Sequence, residues 1–65
     1  MITIDYTFSN GTTDREQLSA GTLEKEGLSW DDWGDLREGA EVFYGKVIAK
    51  IEITWDDNTE SYITF

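Results

Sequence analysis

Thr13-Asp14-Arg15-Glu16-Gln17-Leu18 is the stretch on which the fold turns. Read forward, it starts a helix. Thr13 at the N-cap and Glu16 three residues on match a capping box, in which each side chain satisfies a backbone N–H of the first turn. Read back from Ser9-Asn10-Gly11, residues 12–18 are instead the return strand of a hairpin, because Asn-Gly accepts the positive φ that a tight turn requires. The capping-box reading is preferred. It predicts a helix through Gln17 and Leu18 that breaks at Gly21, restarts at Thr22 through Leu23-Glu24-Lys25-Glu26 and stops at Gly27.

Outward from this stretch the pattern is clearer. Ile2, Ile4, Tyr6 and Phe8 alternate with Thr3, Asp5 and Thr7, the period of two of a half-buried strand. Ser29 caps a second helix over residues 30–38, with acids in its first turn and Arg37 in its last, a polarity that suits the helix dipole. Gly39 closes it. Trp30, Trp33, Leu36 and Arg37 share one face, which predicts that both tryptophans pack on the sheet. Residues 42–44 lead into a long strand in which Val47, Ala49, Ile51, Ile53 and Trp55 alternate with Ile48, Lys50, Glu52 and Thr54. Residues 56–59 turn the chain and residues 60–65 return. A three-residue loop that sets Ile53 opposite Ile63 and Ile51 opposite Phe65 matches more apolar surface than a two-residue loop with Ile53 opposite Tyr62. The expected fold is α+β, β-α-α-β-β, a three-stranded antiparallel sheet with helices packed on one face, in a single domain over residues 1–65. Phe8-Ser-Asn-Gly-Thr echoes Trp55-Asp-Asp-Asn-Thr, an aromatic strand end followed by the same turn chemistry.

Composition narrows the function. The 65 residues contain no cysteine and no histidine. Disulfides and thiolate metal sites are therefore excluded, and the commonest zinc ligand and general base are missing. Stability falls instead to three tryptophans, three tyrosines and three phenylalanines, each of which can bury about 150–250 Å². Phe43 is assigned to the core, while Tyr44 and Tyr62 are divided between core and surface. No apolar run approaches the roughly 18 residues of a membrane span, and Met1-Ile-Thr-Ile-Asp lacks the basic start of a signal peptide. A cytoplasmic setting is expected.

Fourteen Asp and Glu against five Lys and Arg give a formal charge of −9. Such a surface repels nucleic acid and anionic membranes, whose binding needs Lys and Arg, and it favours basic partners. Catalysis has little to work with. Asp56 and Asp57 form a carboxylate pair, but in an exposed turn of a chain too small to enclose a sugar, and Ser29 has no base beside it. Asp56, Asn58 and Glu60 have the alternate spacing of a calcium loop without its central glycine or its closing glutamate. No enzyme activity, metal or cofactor is expected.

The acids themselves are the candidate site. Asp31, Asp35 and Glu38 fall at i, i+4 and i+7 of the second helix with Asp32 beside them, and helical residues three or four apart hold their Cβ atoms about 5–6 Å apart. That spacing roughly copies a row of phosphates along DNA, whose rise is about 3.4 Å per base pair. Glu41, Glu24 and Glu26 broaden the patch, and Tyr44 is an adjacent aromatic anchor, tyrosine being common in binding hot spots. The plain alternative is a solvated helix face. Against it stand the scarcity of neutralising cations and the few tenths of a kcal/mol that like charges at i,i+4 cost a helix.

Taken as a complete chain from Met1, an acidic, cysteine-free protein of this size resembles the small inhibitors of phages and mobile elements, the anti-CRISPR proteins and other DNA mimics. The resemblance lies in size, charge and α+β style, with no shared motif. It implies a non-catalytic protein that occupies the DNA-binding or PAM-reading surface of a basic bacterial protein, such as a CRISPR-Cas effector subunit, and blocks target DNA without binding nucleic acid or membrane itself, as a monomer or homodimer. The competing expectation is a self-associating structural or regulatory module, joined through a strand edge or a patch of Tyr44, Ile48 and Tyr62.

Overall fold

Residues Ile2–Phe8 form strand β1, and it lies inside the sheet with a partner on each side. The computed structural model describes residues 1–65. After β1 come β2 (Thr13–Leu18), a 3-10 turn (Lys25–Gly27), helix α1 (Trp30–Tyr44), β3 (Ile48–Thr54) and β4 (Glu60–Thr64). The sheet has four strands in the order β2-β1-β3-β4, antiparallel throughout. The α+β class and the antiparallel sheet agree with expectation; the three strands and two helices do not.

The correction begins at Thr13. Residues 13–18 pair along β1, with Tyr6 opposite Asp14 and Ile2 opposite Leu18. The physical reason is the backbone of β1. A central strand has N–H and C=O groups on both edges that must find partners, whereas an isolated six-residue helix is too short to be stable. The turn seals this choice. Gly11 adopts φ 87°, the Phe8 N–H donates to the Thr12 carbonyl at 2.8 Å, and Asn10 Oδ1 accepts from the Thr12 N–H and hydroxyl. The second hairpin repeats it part for part. Asn58 has φ 67°, the Trp55 N–H donates to the Thr59 carbonyl at 2.8 Å, and Asp57 Oδ1 accepts from the Thr59 N–H and hydroxyl. The echo between the two sequences is thus one turn used twice. The restart expected at residues 22–26 reduces to the 3-10 turn.

Helix α1 starts where expected. Ser29 caps it, with its Oγ accepting from the Asp32 N–H and the Asp32 carboxylate accepting from the Ser29 N–H. The helix does not stop at Gly39 but continues through residues 42–44 to Tyr44. Ala40 is buried, and the Tyr44 ring meets Tyr6 and Phe8 at 5.8 and 5.5 Å between centroids. That packing offsets the roughly 1 kcal/mol by which a mid-helix glycine is disfavoured. The stop is Gly45, left-handed at φ 68°, whose N–H donates to the Glu41 carbonyl.

The core is Ile2, Ile4, Tyr6, Phe8, Ala40, Ile48, Ile51, Ile53 and Trp55, with Leu18, Leu23, Leu28, Trp33, Leu36, Tyr44 and Ile63 packed around it. Burying each large aliphatic side chain is worth about 1.5–3 kcal/mol. Trp33 packs as expected, but Trp30 is 79% exposed and Phe43 80% exposed. The long strand also departs from strict alternation. Thr7 pairs with Lys50 but Phe8 pairs with Ile48, so Ala49 is an extra residue, a β-bulge. The bulge shifts the period by one, burying Ile48 and leaving Val47 exposed. In the second hairpin Ile51 faces Ile63 and Ile53 faces Ser61. The expected pairs slip by two, because the loop occupies residues 56–58; a slip of two keeps Ile63 on the buried face.

Candidate functional site

Pairing decides where the acids of β2 point. Asp14 and Glu16 lie opposite Tyr6 and Ile4, so they stand on the helix-covered side of the sheet. Both remain exposed. Between β2 and α1 a groove of about 300 Å³ opens, lined by Tyr6, Glu16, Asp35, Leu36, Gly39, Ala40, Phe43 and Tyr44. Its floor is apolar and aromatic, and its charged lining residues are Glu16 from the strand and Asp35 from the helix. The Phe43 and Tyr44 rings meet edge to face at 4.9 Å.

The electrostatics of the groove are one-sided. The Tyr6 phenol donates to Glu16 Oε1 at 3.2 Å. Burial pushes that phenol far above the ordinary tyrosine range, and the Glu16 charge adds to the effect. The Tyr44 phenol is also pushed up, first by burial and then by Asp14 and Glu16. Every cationic side chain is engaged elsewhere. Arg15 Nε meets Asp5 at 2.7 Å, and Arg37 Nε meets Glu41 at 3.4 Å with its guanidinium 4.6 Å from the Phe65 ring. Lys46 lies over Phe8, and Lys50 lies over Tyr62 while pairing with Glu52. Lys25 donates to the Thr59 hydroxyl. None of them lines the groove.

The expected site residues divide into three groups. Asp31, Asp35 and Glu38 are exposed on α1 with no salt bridge, and their spacing keeps them on its solvent side. Asp35 also reaches the groove beside Tyr44. Asp32 and Glu41 have structural work. Asp32 closes the capping box, and Glu41 Oε2 accepts from the Ile48 N–H at 2.9 Å and from Arg37. The Ile48 N–H, with help from Arg37, holds the Glu41 carboxyl below the usual carboxylate range. Glu24 and Glu26 flank the start of the 3-10 turn, a separate element tied to the β3–β4 hairpin through Lys25 and Thr59. Of the fourteen acids, Asp5, Glu41, Glu52 and Asp56 have a salt-bridge partner, that of Asp56 being the N-terminal ammonium.

Sequence reasoning missed Asp14, Glu16 and Phe43. The Asn10-Gly11 turn was the available signal, since a hairpin there puts Asp14 and Glu16 on the same side as Tyr6. The alternative patch of Tyr44, Ile48 and Tyr62 is not brought together: Ile48 is buried, and Tyr62 lies opposite Glu52 on the open face of the sheet. No group of acidic side chains is arranged to hold a metal ion, and no helix is long and apolar enough to cross a membrane. Comparison with protein-family models, curated proteins and solved structures returned no match.

Proposed function

We propose that this protein is a non-catalytic inhibitor that binds a basic nucleic-acid-binding protein and blocks its access to DNA. The observation that carries the reading is that Asp35 of α1 and Glu16 of β2 line one groove with no cation among its lining residues, while Asp31 and Glu38 on the same helix and Asp14 on the same strand are exposed and in no salt bridge. Such a surface attracts basic partners over a Debye length of about 8–10 Å and speeds their encounter. It presents carboxylates where a DNA-binding protein expects phosphates. The setting that fits is the cytoplasm of a bacterial host, and a CRISPR-Cas effector subunit is the kind of target that the size and charge suggest. The protein would then act stoichiometrically, without cofactor or metal.

The test is capture of the target from bacterial lysate at low salt, followed by its DNA binding measured against increasing amounts of this protein. Inhibition that saturates at a fixed stoichiometry is expected. Asp31→Lys with Asp35→Lys should abolish it by about two orders of magnitude or more in affinity, as reversed charges in a complementary interface do, with an unchanged circular dichroism spectrum. Undiminished inhibition by that double variant would remove this face from the interface.

A further inference from the structure

The groove between β2 and α1 is too small for a nucleic-acid segment or a large ligand. Its volume of about 300 Å³ lies at the lower end of the ~300–1,000 Å³ range of ligand pockets. We propose that it receives one arginine side chain presented by the basic partner, with Glu16 and Asp35 as the ion partners and the Phe43–Tyr44 ring pair as the stacking surface. The proposal rests on the reading above insofar as the partner is basic, and it names the group that the acidic face holds.

Three observations converge on arginine. First, the charge in the groove is unanswered: two carboxylates line it, Asp14 acts on Tyr44 from its side, and all five cationic side chains are committed elsewhere. Second, this chain already sets cations over aromatic rings at Phe65, Phe8 and Tyr62. The Phe43–Tyr44 pair, beside the carboxylates, has no cation over it. A planar guanidinium satisfies carboxylates bidentately while stacking on a ring, whereas an ammonium is a compact and strongly hydrated charge. Third, Gly39 lines the groove in the middle of α1 with nothing within 4 Å of the position its Cβ would take. A mid-helix glycine costs roughly 0.5–1 kcal/mol relative to alanine, and here its effect is to keep the groove wide. Phe43 stands largely exposed at the rim, outside the core, with its ring edge to face on Tyr44.

The experiment is a titration of the isotopically labelled protein, followed by amide shifts in NMR, with two peptides of equal charge: acetyl-(Gly-Arg)3-amide and acetyl-(Gly-Lys)3-amide. The arginine peptide is expected to bind about three- to ten-fold more tightly, with the largest shifts at Glu16, Gly39, Ala40, Phe43 and Tyr44. Phe43→Ala and Glu16→Gln should each lower the arginine affinity by a similar factor and bring it towards that of lysine. Gly39→Ala narrows the groove while favouring the helix, so it should weaken arginine binding in a protein that melts at a higher temperature. Gly34→Ala, outside the groove, should raise the melting temperature and leave binding alone. Equal affinity for the two peptides, or shifts confined to Asp31, Glu38 and the 3-10 turn, would overturn the proposal. So would full binding by Gly39→Ala, or no shift at millimolar peptide. The two readings fail separately. Salt-sensitive capture of a basic partner that ignores Phe43→Ala sinks the arginine groove alone. Arginine-selective shifts in the groove, with no inhibition of DNA binding by the parent protein, support the groove and sink the inhibitor reading.

Discussion

Tyr6 is the residue through which the core and the acidic groove are coupled. Its ring is 2% exposed within the isoleucine cluster, yet its hydroxyl reaches Glu16 at the groove wall. Burial and the Glu16 charge keep the phenol protonated in the folded protein well beyond the pH at which a free tyrosine ionises. In the unfolded chain it loses its proton near pH 10. Below that pH both states hold the proton and stability is independent of this group. Above it the unfolded state binds fewer protons, so stability falls as pH rises. Tyr6→Phe should therefore show a shallower loss of stability above about pH 10 than the parent protein, read from urea midpoints across an alkaline series. Identical slopes would mean that Tyr6 ionises freely in the native state.

At the scale of elements, helix α1 is fixed by its two ends. Ser29→Ala removes one half of the capping box and should lower stability by about 1 kcal/mol. Gly45→Ala forces an L side chain into the left-handed region and should lower it by about 1–2 kcal/mol. Denaturant titration of both variants checks these values. The start of α1 was legible because Ser29 and the acids after it form a local signal. The end was not, because Gly39 looks like a stop unless the packing of the buried Ala40 and the half-buried Tyr44 beyond it is known. The same limit hid β2. A capping box at Thr13 is a local feature, whereas the demand of β1 for a second partner arises only once the sheet is assembled. The bulge at Ala49 reversed the faces assigned to Val47 and Ile48, since a period of two carries no warning of an inserted residue. The α1 acids of the candidate site were legible from helical spacing. Their continuation onto β2 was lost along with the strand.

For the whole molecule the question is whether charge acts by its total or by its placement. A formal charge of −9 on 65 residues attracts any basic protein to some degree, with an affinity that salt weakens. A surface that imitates DNA must do more, because register and direction come from particular carboxylates. Two variants of equal net charge separate these effects. One carries lysine at Asp14, Glu16, Asp35 and Glu38, around the groove. The other carries lysine at Glu24, Glu26, Glu52 and Glu60, on the 3-10 turn and its approach and on strands β3 and β4. The decisive measurement is the dissociation constant of each variant for the captured basic partner across a salt series, beside that of the parent protein. The groove variant is expected to lose binding at every salt concentration, while the distant variant keeps it and shows only a modestly altered salt slope. Equal losses in the two variants would rule out a placed surface, because net charge alone would then explain the attraction.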